Sequence, residues 1–161
     1  MELFLYNNYM KERIDVNYMP LFVETCRSHS LRITPQRIAI YKQLLQATGH
    51  PSADAVYKAV LKEFPHISFE TVNRTLLTYA EIGILNIVES YSGVRRFDPD
   101  PDAHHHIHCV RCGKIIDFRH HEFDRLSIPR EIEKTYTVVG KRVVVNVICQ
   151  DCSDTESKRP S

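Results

Sequence analysis

Through the first half of the chain, apolar positions fall three and four residues apart, the spacing of helix faces that pack on a core. From Pro20 to His29, Leu21, Phe22, Thr25 and Cys26 make one mostly apolar stripe, with Cys26 read as a small buried hydrophobe. Thr34 is placed to cap the next helix and Pro35 to take its first position. That helix carries Ile38, Ile40, Tyr41, Leu44 and Leu45 and stops at Gly49. Ser52 caps a third, with Ala53, Val56, Tyr57, Val60 and Leu61 on one face and Pro65 closing it. Ser68 caps a fourth, Phe69 to Ile82, ended by Gly83. Its inward stripe is Val72, Leu76, Tyr79 and Ala80, which turns Glu70, Asn73, Arg74 and Thr78 outward.

The pattern then changes to short β-type runs. Ile84–Glu89 and Val94–Phe97 flank Ser90-Tyr91-Ser92-Gly93, a turn sequence. Short helices followed by a hairpin are the order of a winged helix-turn-helix, in which the helix before the hairpin enters the DNA major groove. Asp98-Pro99-Asp100-Pro101-Asp102 reads as a connector and domain boundary. Beyond it the expected elements are a strand over His104–Val110, a knuckle at Cys109–Cys112, a strand over Lys114–Phe118 and a helix from Glu122 to Glu133. A valine-rich hairpin or strand, Tyr136–Ile148, then ends at Cys149. The predicted class is α+β: an N-terminal winged helix-turn-helix DNA-binding domain over residues 20–98, then a C-terminal α/β metal-binding and dimerisation domain over 99–153. Residues 1–19 are read as an N-terminal extension, with a helix starting near Met10, and 154–161 as a disordered polar tail.

Charge sharpens this only slightly. Residues 27–96 carry nine Lys/Arg against five Asp/Glu, and residues 97–161 ten against eleven, so the basic excess lies in the first half and favours an anionic partner there. No stretch approaches the ~20 apolar residues of a membrane span, and Met1–Tyr6 has no basic start to a secretory signal. Five cysteines, an odd number, without such a signal argue against a disulfide framework and for a reduced, cytoplasmic protein.

The chemistry is concentrated in His104-His105-His106-Ile107-His108-Cys109-Val110-Arg111-Cys112. Cys109 and Cys112 form one C-x-x-C pair, Cys149 and Cys152 another, and two such pairs suit a closed, structural tetrahedral zinc. If His104–His108 is extended, His104, His106 and His108 share one face and His105 points the other way. Two imidazoles at i and i+2, with Asp117 on the next strand and Asp98 just upstream, make a nitrogen and oxygen set that suits Fe(II) or Mn(II) better than a thiolate cage does, though zinc also accepts it.

These residues and several motifs resemble the ferric uptake regulator (Fur) family of metal-dependent repressors, and within it the peroxide-sensing (PerR) branch. The resemblance spans roughly residues 20–153. It rests on Arg32-Ile33-Thr34-Pro35-Gln36-Arg37, His50-Pro51-Ser52-Ala53-Asp54, Ser68-Phe69-Glu70-Thr71-Val72, Arg96-Phe97-Asp98, the histidine run, Cys109 through Asp117, and Cys149-Gln150-Asp151-Cys152. The resemblance implies structural zinc on Cys109, Cys112, Cys149 and Cys152. It implies a regulatory Fe(II) or Mn(II) on His50, Asp98, His104, His106 and Asp117, bridging the two domains. A homodimer on a double-stranded operator would then use Arg32, Arg37, Ser68, Thr71, Asn73 and Arg74 toward DNA. Aspartate at both 98 and 117 matches the peroxide sensors, in which Fe(II) and hydrogen peroxide oxidise a ligand histidine and DNA is released. The matching oxidation-sensitive positions are His50 and His104. A Mn(II)-loaded protein would repress without responding.

The chain also departs from the family. A further metal site of iron-sensing members corresponds here to Ala103, His105 and Lys141 and looks dismantled, which leaves His105 and His108 as surface residues or supports behind the ligands. His66, His120 and His121 are expected in solvent. Asn73 stands where tyrosine is usual. It can read adenine, and Arg74 guanine, each pairing giving about 1–3 kcal/mol of discrimination. An iron- or zinc-responsive repressor is the alternative within the family. A metallohydrolase would lack a general base beside the ligands, and a zinc-ribbon adaptor would leave His50, Asp98 and Asp117 unexplained, so the chain is read as no enzyme.

Overall fold

A computed structural model describes residues 18–47, 49–88, 93–100 and 102–157. The expected helix near Met10, most of the hairpin turn and residues 158–161 lie outside them. The chain divides into two compact units, Met1–Pro101 and Asp102–Ser161. The division falls three residues after the expected boundary at Asp98. Asp98 and Asp100 are buried in the first unit: the Asp100 N–H donates to Asp98 Oδ1 at 2.9 Å, and Asn86 Nδ2 donates to the Asp100 carbonyl at 3.3 Å.

The first unit contains α1 (Tyr18–Ser28), α2 (Pro35–Gln46), α3 (Ala53–Val60) and α4 (Phe69–Glu81), then an antiparallel pair, β1 (Asn86–Val88) and β2 (Arg96–Asp98). This is the winged helix-turn-helix, with β1 and β2 as the wing. Three predicted caps hold: the side chains of Thr34, Ser52 and Ser68 accept from the N–H of Arg37, Ala55 and Thr71. Gly83 ends α4 with φ +76°, a conformation that costs glycine nothing. The core is built on an aromatic trio. Phe22 stacks on Tyr41 with centroids 4.3 Å apart, and Tyr79 meets both rings edge-on. Cys26, Ile40, Leu44, Val60, Val72, Leu76 and Phe97 are fully buried around it, Cys26 as expected. Leu21, expected on the α1 stripe, is exposed. The Tyr79 hydroxyl donates to the Arg37 carbonyl at 2.9 Å, which ties α4 to the start of α2.

The second unit has a three-stranded sheet in the order β4-β3-β5, with β3 (His105–Cys109) antiparallel to β4 (Ile115–Phe118) and parallel to β5 (Val144–Val147). Three expectations are corrected here. The helix over Glu122–Glu133 is two short ones, α5 (His121–Asp124) and α6 (Arg130–Thr135). Pro129 has no N–H to give and biases Ile128 away from helix, so it opens α6 rather than lying inside a longer helix. The run Tyr136–Ile148 is no hairpin: only Val144–Val147 pairs, and it joins β3. The first residues of the stretch read as a disordered tail are helical, in α7 (Gln150–Ser157), where Asp151 sits in the first turn and favours the positive helix end.

Tyr79→Phe removes the bond to Arg37 without opening a cavity and should lower the unfolding free energy by about 1 kcal/mol. Leu76→Ala leaves a cavity in the same core and should cost about 2–5 kcal/mol. Urea denaturation followed by circular dichroism measures both.

Candidate metal centres and DNA-binding face

The two C-x-x-C knuckles meet where β3 ends and α7 begins. Gly113, at φ +71°, lets the chain turn sharply after Cys112, and its N–H donates to the Cys109 carbonyl at 3.0 Å. The N–H groups of Cys152 and Ser153 both donate to the Cys149 carbonyl, forming the second knuckle. Parallel pairing of Cys109 with Val147 brings the knuckles together. The four sulfurs lie within 4.8 Å of one another, with Cys109–Cys152 at 3.9 Å and Cys112–Cys149 at 3.7 Å. A disulfide needs about 2.0 Å, so these are thiols. A tetrahedron with zinc–sulfur arms of about 2.3 Å has edges of about 3.8 Å, which both distances match.

Protonation supports the same occupant. N–H groups of Cys112 and Cys149 directed at Cys109 hold its thiol down at about 6. Cys152 is pushed up to about 12 by its hydrogen bond with Cys149 and by burial and the neighbouring sulfurs. Cys112 is raised as well, against the Lys114 N–H, by Cys109, burial and Cys149. The first thiolate forms readily and later ones are opposed, so a bound dication is what four thiolates at this spacing require.

A second donor set lies one turn of the pleat away. His104 Nδ1 is 2.8 Å from the Asp102 carbonyl, which can only accept, so the proton is on Nδ1 and the Nε2 lone pair is available. That Nε2 is 3.0 Å from His106 Nε2. Asp117, paired with His106 across β3–β4, places Oδ1 3.7 Å from His104 and 3.5 Å from His106. Two imidazole nitrogens about 2.1 Å from one ion at a right angle stand about 3.0 Å apart. The trio is an open nitrogen and oxygen set, harder than the thiolate cluster.

His50 and Asp98 belong to the first unit. Gly49, at φ +80°, turns the chain into His50, and Asp98 ends β2 beside Phe97, which is anchored in the core. Their side chains approach to 3.8 Å, both buried. The Phe97 N–H donates to the Pro51 carbonyl at 3.0 Å, so the segment carrying His50 is bonded to the strand carrying Asp98.

Of the two places expected for His105 and His108, at the surface or behind the ligands, burial excludes the surface. His105 and His108 are buried, at 2% and 7% exposure. The Val143 N–H donates to His105 Nδ1 at 3.2 Å, which leaves the ring proton on Nε2 facing Asp124 Oδ1 at 3.1 Å. Phe118 and Phe123 flank the ring. His108 lies on the ligand face, its ring stacked on that of His106 at 6.1 Å. Lys141 donates to the carbonyls of Asp124 and Leu126. No spacing signal pointed to Asp124 or Val143 as partners of His105. His66, His120 and His121 are exposed as expected.

Of the residues expected to face DNA, Arg32, Ser68 and Arg74 are exposed, and Arg37, Thr71 and Asn73 are half-buried. Arg37 is turned onto the Arg32 carbonyl, and the Ser68 and Thr71 hydroxyls are 2.8 Å apart. Of that expected set, Asn73 and Arg74 are the α4 side chains that remain without a hydrogen bond among the described residues, Arg74 exposed and Asn73 half-buried.

A winged helix-turn-helix joined to a sheet with a four-thiol cluster and a histidine–carboxylate trio defines a metal-binding transcription regulator. A model of the Ferric uptake regulator family matches residues 28–147, and the chain belongs to that family. The peroxide-responsive repressor PerR of Staphylococcus saprophyticus is 34% identical over 132 residues, covering 82% of this chain and 89% of that protein. Among solved structures, the Campylobacter jejuni peroxide stress regulator is 27% identical with a TM-score of 0.61, covering 81% of this chain and 98% of the other. The ferric uptake regulator of Pseudomonas aeruginosa with manganese is also 27% identical, with a TM-score of 0.63 over 78% and 95%.

Cys149→Ser and Cys112→Ser should each abolish tightly held zinc, read as metal content by atomic emission after mild chelation. A full complement surviving in either variant would rule out the closed four-cysteine site.

Proposed function

We propose that this member of the family is a homodimeric, metal-dependent repressor that senses hydrogen peroxide through its regulatory metal ligands. The observation that carries the proposal is the His104–His106–Asp117 trio: a preset pair of imidazole nitrogens 3.0 Å apart with a carboxylate, kept separate from a thiolate cluster that takes its own ion. The likeness to PerR of Staphylococcus saprophyticus supports the peroxide reading. Cys109, Cys112, Cys149 and Cys152 hold zinc and fasten the C-terminal segment to β3. His104, His106 and Asp117 of the second unit, joined by His50 and Asp98 of the first, hold Fe(II) or Mn(II).

The ligands divide the work. The Asp102 carbonyl fixes the tautomer of His104, and the Phe97–Pro51 bond keeps His50 in register with Asp98. Fe(II), when bound there, would relay to hydrogen peroxide the two electrons that the ligand imidazole gives up, and would itself be unchanged in net oxidation state. One peroxide oxygen adds to the ring carbon between the nitrogens of His50 or His104, displacing the hydrogen there, and the other leaves as water. The product, 2-oxo-histidine, is a poorer donor. A ligand set that has lost an imidazole no longer favours the DNA-binding conformation, and the operator is released.

Toward DNA, α4 lies in the major groove with Asn73 on adenine and Arg74 on guanine, while Arg32, Arg37 and the Ser68–Thr71 cap serve the backbone. The exposed Ile132, Tyr136, Val138 and Val139 of the second unit are apolar surface for a homodimer to cover. No helix among the described residues is long and apolar enough to cross a membrane. Reduced thiols fit a cytoplasmic protein.

Protein loaded with Fe(II) and exposed to peroxide should gain a single oxygen on the peptides containing His50 or His104 and should lose operator binding. Protein loaded with Mn(II) should show neither change. Peptide mapping by mass spectrometry decides: no oxygen gain under iron removes the peroxide mechanism and leaves an iron- or zinc-responsive repressor.

A further inference from the structure

Along α4, the stripe Val72, Thr75, Leu76 and Tyr79 is buried, while Glu70 and Arg74 are exposed and Asn73 is half-buried. Some polar groups of its N-terminal half are already engaged. Ser68 Oγ accepts from the Thr71 N–H at 3.1 Å and shares a hydrogen bond with Thr71 Oγ1, and Thr75 Oγ1 donates to the Thr71 carbonyl at 2.7 Å. Glu70 and Arg74 stand at the spacing of a helical ion pair, yet among the described residues neither they nor Asn73 form a side-chain hydrogen bond or ion pair.

The positive end of α4 favours a carboxylate in its first turn, but in a helix that enters the major groove phosphates on both sides repel that charge unless it is matched there. A carboxylate only accepts hydrogen bonds, so its match in the major groove is an amino group. Cytosine offers N4 there with no adjoining acceptor. Adenine's N6 is flanked by the acceptor N7, guanine shows O6 and N7, and thymine shows O4 and a methyl.

We infer that Glu70 is a specificity-determining residue of the DNA-binding function proposed above, accepting a hydrogen bond from the N4 amino group of a cytosine in each half-site. The inference rests on α4 occupying the major groove. Glu70 also rejects competing DNA: over guanine or thymine its charge faces acceptors and goes unsatisfied, and over unrelated duplex it opposes the phosphate attraction of Arg32 and Arg74.

Full-length protein loaded with Mn(II), as wild type, E70A and E70Q, is used to select duplexes from a randomised pool, and the bound fractions are sequenced. Wild type should enrich a two-fold symmetric site with a C·G pair at one fixed position in each half. In E70A the preference for that pair should fall about tenfold with the rest of the site retained, and unrelated duplex should bind several-fold more tightly. E70Q should move the preference toward A·T, since an amide both donates and accepts. Equal zinc content and helicity across the three keep folding out of the comparison. If E70A selects the same base at every position as wild type, the role of Glu70 is overturned. If wild type enriches no sequence at all, the DNA reading falls and Glu70's role with it.

Discussion

The second unit depends on one constraint, the alternation of side chains along β3. A fully extended backbone sends neighbours to opposite faces, so the consecutive residues from His104 to Cys109 serve separate ends without competing. His104 and His106 converge on Asp117 on one face, His105 packs between phenylalanines on the other, and Cys109 ends the strand at the thiol cluster. A slip of one residue against β4 would turn the ligands into the aromatic packing and His105 into the ligand position. The His106–Asp117 pairing is therefore both a fold contact and the geometry of the site. β5 is the exposed side of this arrangement: it pairs with β3 alone and leads directly into Cys149. Zinc on the four sulfurs would fix its register where backbone pairing with β3 alone would do so weakly.

Ligand hardness keeps the two sets apart although they share a strand. Four thiolates select a soft or borderline ion and leave no open position. The imidazole and carboxylate trio selects less strongly and stays open. The sulfur set suits an ion that stays, and the nitrogen and oxygen set suits one whose loss can carry a message.

Local signals were legible in the sequence. The caps Thr34, Ser52 and Ser68 and the knuckles are written within a few residues, because capping and C-x-x-C geometry are short-range. The His104–His106 face followed from period two. Features set by distant partners were not legible. His105 is held by Val143 and Asp124, and nothing in a run of histidines says which of them will be buried. The valines from 138 to 147 all favour extended structure, so composition could not show that pairing begins only at Val144. His50 is a loop histidine by spacing, and only the family resemblance brought it forward.

His50 is also where a metal state could enter the DNA-binding unit. It lies two residues before Ser52, the cap of α3, and its carbonyl accepts from Arg96 of the wing at 3.5 Å. The next carbonyl, that of Pro51, takes the Phe97 N–H, and Asp98 follows. The two ligands proposed from this unit therefore sit on segments bonded to each other through backbone carbonyls, one continuing into a helix and the other running back along the wing. An ion that draws His50 and Asp98 toward a common point acts on α3 and the hairpin together, whereas a ligand on a mobile side chain alone would move only itself. Loss of one imidazole from the proposed set would then relax both segments at once. Under the proposed function, this coupling is how oxidation of a single ring carbon would release a protein held to DNA by many separate contacts.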